Sequence, residues 1–253
     1  MKKFLHICCI FFGIAFIVNA SFFCSRSYAK LSPGLAGSLS LVPGLGQVTN
    51  GDTLEGLTWF ATSVGLFFSG NSTLSQIGLD LWLYNMYDAY RDAGGAPSAR
   101  YNVAENYIAF VNPLNIVDPI GAPVVASGAF AGRARGYPSL KNPSRIAMYG
   151  FVGLGEEGLF RGFLFPGFSN LFSSKWIGAI VSSSVFSVAH GLNGKSDLTL
   201  SPLLQRFIAG MLFSWQMNLN QFDLRNGIFA HAWYDILLDS RAEIRGIKII
   251  VPF

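Results

Sequence analysis

Apolar segments follow one another along this chain, separated by short polar joints. Residues 54–70 and 74–90 are each close to the roughly 20 residues that a helix needs to cross a bilayer, and Asn71, Ser72 and Thr73 form the turn between them. Ahead of this pair, residues 41–52 are rich in Gly, Pro and Asn and read as a structured turn or interfacial element. Residues 103–130 are apolar, but Pro113, Asp118, Pro119 and Pro123 interrupt any regular helix there. The pattern fits a kinked span at 107–130 or a re-entrant segment lying on protein. The carboxyl half reads as four helices, about 145–165, 174–190, 203–220 and 227–240, with joints at Pro166-Gly167, Gly191 to Pro202 and Asn220 to Asn226. No internal repeat interrupts this order. The pattern predicts an all-α fold, a polytopic transmembrane bundle of about six to seven spans behind an N-terminal signal segment.

That first segment has its own logic. Lys2 and Lys3 precede an apolar run from Phe4 to Val18, and the small-residue site Ser27-Tyr28-Ala29 follows. Residues 1–29 thus read as a signal peptide, or as an uncleaved anchor, since the run is long for a signal. In both cases the chain from Lys30 begins on the outer face. Cys8, Cys9 and Cys24 are the only cysteines, so no disulfide framework or cysteine zinc site can form further along. The basic residues Arg133, Arg135, Lys141 and Arg145 stand together without an acidic one and mark a cytoplasmic loop. The domain division is 1–29, then an amino-terminal membrane hairpin module with the kinked segment at 30–132, then a membrane core at 133–253.

Composition narrows the classes. Charged residues make up 13% of the 253, against about 25% in soluble domains, and mean hydropathy is +0.40. That is too little charge for a soluble surface and too much apolar content for disorder. The formal charge of +4 is small and dispersed, which excludes a nucleic-acid footprint. The partner that composition implies is the lipid bilayer.

Ionisable groups on apolar helices are costly and therefore informative. Helix 145–165 contains Glu156, Glu157 and Arg161, helix 174–190 ends in Phe186 to His190, and helix 227–240 contains His231 and Asp235. Glu157 and Arg161, four apart, share a face and can pair. Glu156 lies about 100° round and can meet another neighbour. His231 and Asp235, also four apart, can project toward one point. Two imidazoles and two carboxylates are the parts needed to hold and deprotonate a water, with a metal or without one.

Glu156-Glu157-(three)-Arg161, Phe186-(three)-His190 and His231-(three)-Asp235, in this order on apolar helices, resemble the motifs of the CPBP family of intramembrane proteases, the CAAX-processing and bacteriocin-processing enzymes. The resemblance covers about residues 140–240, and Asp235 stands where that family often has Asn. It implies an intramembrane endopeptidase whose partner is a membrane-associated protein or peptide substrate, possessing the catalytic set Glu156, Glu157, Arg161, His190, His231 and Asp235. Glu156 would activate the attacking water. His190, His231 and Asp235 would position it, hold one divalent metal ion such as zinc, or stabilise the oxyanion. Glu157 and Arg161 would brace the site, and Phe186 would pack. The family's setting further implies a multi-pass protein of a bacterial inner membrane. Separately, Leu39 to about Asp92 resembles a small bacterial membrane hairpin module with a Pro-Gly-Leu-Gly-Gln entry.

Two other readings compete. A catalytically silent membrane scaffold on the same fold needs only that each polar pair satisfy itself between helices. A transporter also uses intramembrane charge, but the absence of repeated halves and the concentration of titratable groups in the carboxyl half weigh against it. One tension remains in the sequence: a simple up-and-down bundle puts His190 near one membrane face and His231 near the other, with Glu156 between.

Overall fold

The computed structural model describes residues 31–95, 101–135, 142–190 and 199–238. The signal or anchor segment and Lys141 lie outside these residues. Every regular element among the described residues is helical. Two short helices, α1 (Pro33–Leu39) and α2 (Leu45–Thr49), lead into the hairpin of α3 (Thr53–Phe67) and α4 (Ser72–Asp92). A short α5 (Val103–Ile108) and two 3₁₀ turns (Ala109–Val111, Pro113–Val117) precede α6 (Gly121–Arg135). Then come α7 (Pro143–Glu157), a π-helical segment (Gly158–Leu164) and α8 (Phe165–Leu171), which run on as one helix. The antiparallel α9 (Lys175–Ala189) and α10 (Leu200–Leu219) precede α11 (Arg225–Leu238).

The elements start where side chains can satisfy free backbone N–H groups. Asn71 caps α4 by accepting from Thr73 and Leu74, Asn142 caps α7 and Ser174 caps α9. Pro113 breaks the chain into 3₁₀ turns as its chemistry requires, but Pro123 and Pro202 do not act as breakers. Each falls in the first turn of a helix, where no intrahelical N–H bond is lost. Pro166 likewise ends nothing, although a joint is expected there from the sequence. The wide π turn ahead of it relieves the clash a proline ring makes with the carbonyl four residues back. The long helix ends instead at Phe172 and Ser173, whose φ of 49° reverses the chain.

Glycines fix how closely the helices approach. A Cβ on Gly155 would lie 2.5 Å from the carbonyl oxygen of Asp80, and Gly158 and Gly162 meet Tyr84 and Tyr87 in turn, so α4 and α7 run parallel. Gly128 and Gly132 of α6 meet Tyr234 and Leu237 of α11, again in parallel order. Gly153 sits on Ile228 and Ala232, whereas Tyr149 clusters with Ile236, so α7 and α11 are antiparallel. Asp118, between the second 3₁₀ turn and α6, accepts from Gln216, Asn220 and the backbone of Gly121, tying α6 to the α10–α11 joint.

Among the described residues no helix is long and apolar enough to cross a membrane. The two longest single helices explain why. In α4 the apolar face is interrupted by Asp80, Asp88, Arg91 and Asp92, and in α10 by Gln205, Arg206, Gln216 and Asn218.

Candidate active site

The α7 helix delivers Glu156 and Glu157 on its last turn, midway along the continuous helix 143–171. Both are buried, at 0% and 1% exposure. The π segment begins one residue later, and such segments recur at functional sites because they re-aim side chains. Arg161 lies within it, 1% exposed, with Nη1 3.2 Å from Glu157 Oε1. The guanidinium also lies over the rings of Phe186, at 4.3 Å from the centroid, and Phe213, at 5.1 Å.

The two histidines come from different helices and meet at Glu156. His190 caps the carboxyl end of α9, and its Nε2 lies 3.6 Å from Glu156 Oε2. His231, in the second turn of α11, places Nε2 at 3.5 Å from the same oxygen. Asp235 Oδ2 stands 3.8 Å from His231 Nε2. The tension in a simple up-and-down arrangement is resolved by α9. It starts beside α10's far end, where Lys175 Nζ donates to Asn218, and its fifteen residues end at the depth of Glu156.

The other nitrogen of each ring fixes its tautomer. His190 Nδ1 lies 2.9 Å from the carbonyl oxygen of Phe186. A carbonyl only accepts, so Nδ1 carries the hydrogen. His231 Nδ1 lies 2.7 Å from Glu157 Oε1 and donates to that carboxylate, which Arg161 also pairs. Both rings thereby turn Nε2 toward Glu156. Phe213 stacks on His231 at 5.4 Å and 20°, and Phe186 meets the His190 ring edge-on at 4.6 Å. Phe186 therefore packs, and it also holds His190 through its backbone.

Imidazole nitrogen and carboxylate oxygen suit zinc chemically. Their spacing here is another matter. Among the described residues, the three acidic or histidine groups with ligand atoms all within 4.8 Å of one another are Glu55, Asp88 and Asp92, in the amino-terminal module. His190, His231 and Asp235 form no such set, and bonds of about 2.0–2.2 Å to one ion would require them to draw together. Arg91 pairs with two of these three acids, Asp88 at 2.6 Å and Asp92 at 2.9 Å. It borders a groove of about 840 Å³ that includes Trp59 and Leu81 and lies apart from the histidines.

The six residues expected to act together are thus neighbours in space. The expectation that titratable groups gather only in the carboxyl half is corrected. Asp80 and Asp88 of α4 are buried as well, and Asp80 abuts the residue before Glu156. The signal for Asp80 was available, an acid inside the apolar stretch 74–90, but no motif surrounds it. Phe213 carried no such signal, since a phenylalanine on an apolar helix is ordinary packing.

Residues 140–237 match the protein family described as Type II CAAX prenyl endopeptidase Rce1-like. The resemblance to the CAAX-processing proteases holds over that segment, which contains all six residues, and points to a CAAX-type intramembrane protease in general. No curated protein and no solved structure matches the chain.

Proposed function

We propose that this protein is a membrane-embedded endopeptidase in which Glu156 activates the water that attacks a peptide bond of a membrane-associated protein or peptide. The observation that carries the reading is the convergence of two imidazole Nε2 atoms, at 3.5 and 3.6 Å, on one oxygen of a fully buried glutamate. These separations are too long for direct hydrogen bonds of good geometry. A water seated beside the three atoms, and not between them, would be within hydrogen-bond reach of Glu156 Oε2 and of an imidazole nitrogen together. Glu156 takes a proton from that water as its oxygen attacks the carbonyl carbon, and the same carboxyl then gives the proton to the leaving amine. Charge develops on the carbonyl oxygen, where a protonated imidazole can stabilise it. Glu157, neutralised by Arg161, fixes the ring of His231.

The membrane setting is supported by inverted polarity. Leu54, Phe130, Trp176 and Leu200 are 75–81% exposed, while Glu156, Glu157 and Arg161 are sealed inside. Large outward apolar surface needs an apolar surround, and inward charge marks a functional site there. We read the bundle as a multi-pass protein whose helices cross together, each polar stripe facing its neighbours.

The test is Glu156→Gln, which keeps size and shape but cannot take the proton. Expected is a folded, membrane-inserted protein whose cleavage falls by at least roughly 10²–10⁴-fold. Full function of the folded variant in cells would decide for a silent scaffold. Chelation provides a second measurement. With donors spaced as they are, cleavage should survive removal of divalent metal, and loss that zinc restores would assign His190, His231 and Asp235 as its ligands.

A further inference from the structure

A hydrogen bond through Nδ1 holds each histidine of the site by one corner, His190 to the carbonyl of Phe186 at 2.9 Å and His231 to Glu157 Oε1 at 2.7 Å. One fixed corner still lets a ring tilt, because the torsion that turns an imidazole has a broad minimum. His190 has a second restraint in the ring of Phe186, edge-on at 4.6 Å. For His231 that place is taken by Phe213 of α10, with centroids 5.4 Å apart and planes 20° from parallel, a separation in the favourable range for stacked rings.

Phe213 is 5% exposed and belongs to none of the three motifs. Its own position is well held. The Arg161 guanidinium lies over its ring at 5.1 Å. The helix that carries it is tied in its first turn, where Ser187 donates to the Leu203 carbonyl at 2.6 Å, and near its end, where Gln216 donates to Asp118 at 2.8 Å. Three residues before Phe213, a Cβ on Gly210 would lie 2.8 Å from that of Ser183, so α10 rests directly on α9.

We propose that Phe213 is a positioning residue of the site, whose ring sets the tilt of the His231 imidazole and keeps its Nε2 directed at Glu156 Oε2. The inference rests on the protease reading. Glu157 and Phe213 divide the restraint of His231: the carboxylate selects the tautomer, and the ring selects the plane. For His190, Phe186 does both, one through its backbone and one through its side chain. A misplacement of about 1 Å in a reacting group is enough to lower a rate on the order of 10²-fold.

Phe213→Leu keeps an apolar group at the position and removes the plane. Two measurements follow on detergent-solubilised full-length protein at one fixed pH. The first is cleavage of a fluorogenic farnesylated CAAX peptide, with Glu156→Gln as reference. The second is the imidazole ¹⁵N spectrum, which is simple because the chain has only three histidines. Expected for Phe213→Leu are a cooperative melting transition, a kcat reduced roughly 10- to 100-fold at unchanged KM, and a His231 Nε2 signal displaced relative to that of Nδ1. Loss of the ring current reaches both nitrogens, so the difference between them is the quantity read. Phe213→Tyr retains the plane and should retain both rate and spectrum. Trp215→Leu removes an exposed ring from the same helix and should alter neither.

Parental kcat in Phe213→Leu overturns the proposal, while an inactive Glu156→Gln in the same assay leaves the protease reading standing. If Glu156→Gln itself cleaves at the parental rate, both fail. The spectrum decides without the peptide: an unchanged difference between the two His231 nitrogens overturns the assignment whether or not the peptide is cut. A folded Phe213→Tyr that behaves like Phe213→Leu overturns it too, because the plane is then irrelevant. Should Phe213→Leu fail to fold, Phe213→Met fills the space with a flexible unbranched chain and is read by the same criteria.

Discussion

Arg161 has no water to turn to. Its guanidinium is enclosed by Phe186, Phe213 and Glu157, so truncating it leaves Glu157 buried beside His231 with its main counter-charge gone. Breaking one member of a buried pair typically costs about 3–5 kcal/mol. Arg161→Ala should lower the melting temperature in detergent markedly, and adding Glu157→Gln should restore part of the loss. An Arg161→Ala variant that melts like the parent would remove the bracing role. The sequence made this pair legible through its spacing of four. It did not reveal that Glu157 Oε1 is shared with His231, because the link spans 74 residues and depends on how α7 crosses α11.

Helix contacts depend on small residues at a few points. Gly178 of α9 is one, since a Cβ there would sit 2.2 Å from Ser169 Oγ and 2.7 Å from its backbone nitrogen. Gly178→Val must push α9 off α8 and draw His190 from Glu156. The expected outcome is overpacking worth about 1–3 kcal/mol, seen as a lower melting temperature together with reduced cleavage. Unchanged values for both would show that α9 can shift freely. Most of the helices were legible from apolar runs and capping residues. The segment 143–171 was not, because a proline read as a terminator holds only if the preceding turn is α-helical. The depth at which α9 ends was hidden too: periodicity shows that a helix exists and not how its length registers against its neighbours.

At the scale of the molecule, the parallel order of α4 and α7 makes a directional prediction. On the proposed membrane reading, the basic residues that precede α7 would put the starts of α4 and α7 on the cytoplasmic side and the end of α4 on the outer side. A reporter inserted at Lys141 should read cytoplasmic and one at Ala96 external. Cytoplasmic signals at both would contradict the passage of 107–130 through the membrane. The amino-terminal module is also built into the core, since Tyr84, Tyr87 and Tyr90 of α4 join Leu154 and Phe163 in one cluster. The sequence division at 132 falls just ahead of the family match, which begins at 140, and the packing crosses it.

A π-helical stretch is an α-helix with extra chain folded into it, and this one separates two lengths of helix that each have fixed neighbours. Losing one residue elsewhere between 143 and 171 would rotate everything beyond it by about 100°, tearing either Glu156 or Gly162 from its place. Losing one inside 158–164 can be absorbed by the wide turn tightening to α. A single-codon deletion scan should therefore find its most tolerated positions within this segment, Arg161 and the glycines excepted, with protein levels in the membrane as the readout. The helix that carries the glutamates would then have one place where its length is free to vary between related sequences, directly beside the residues that are not.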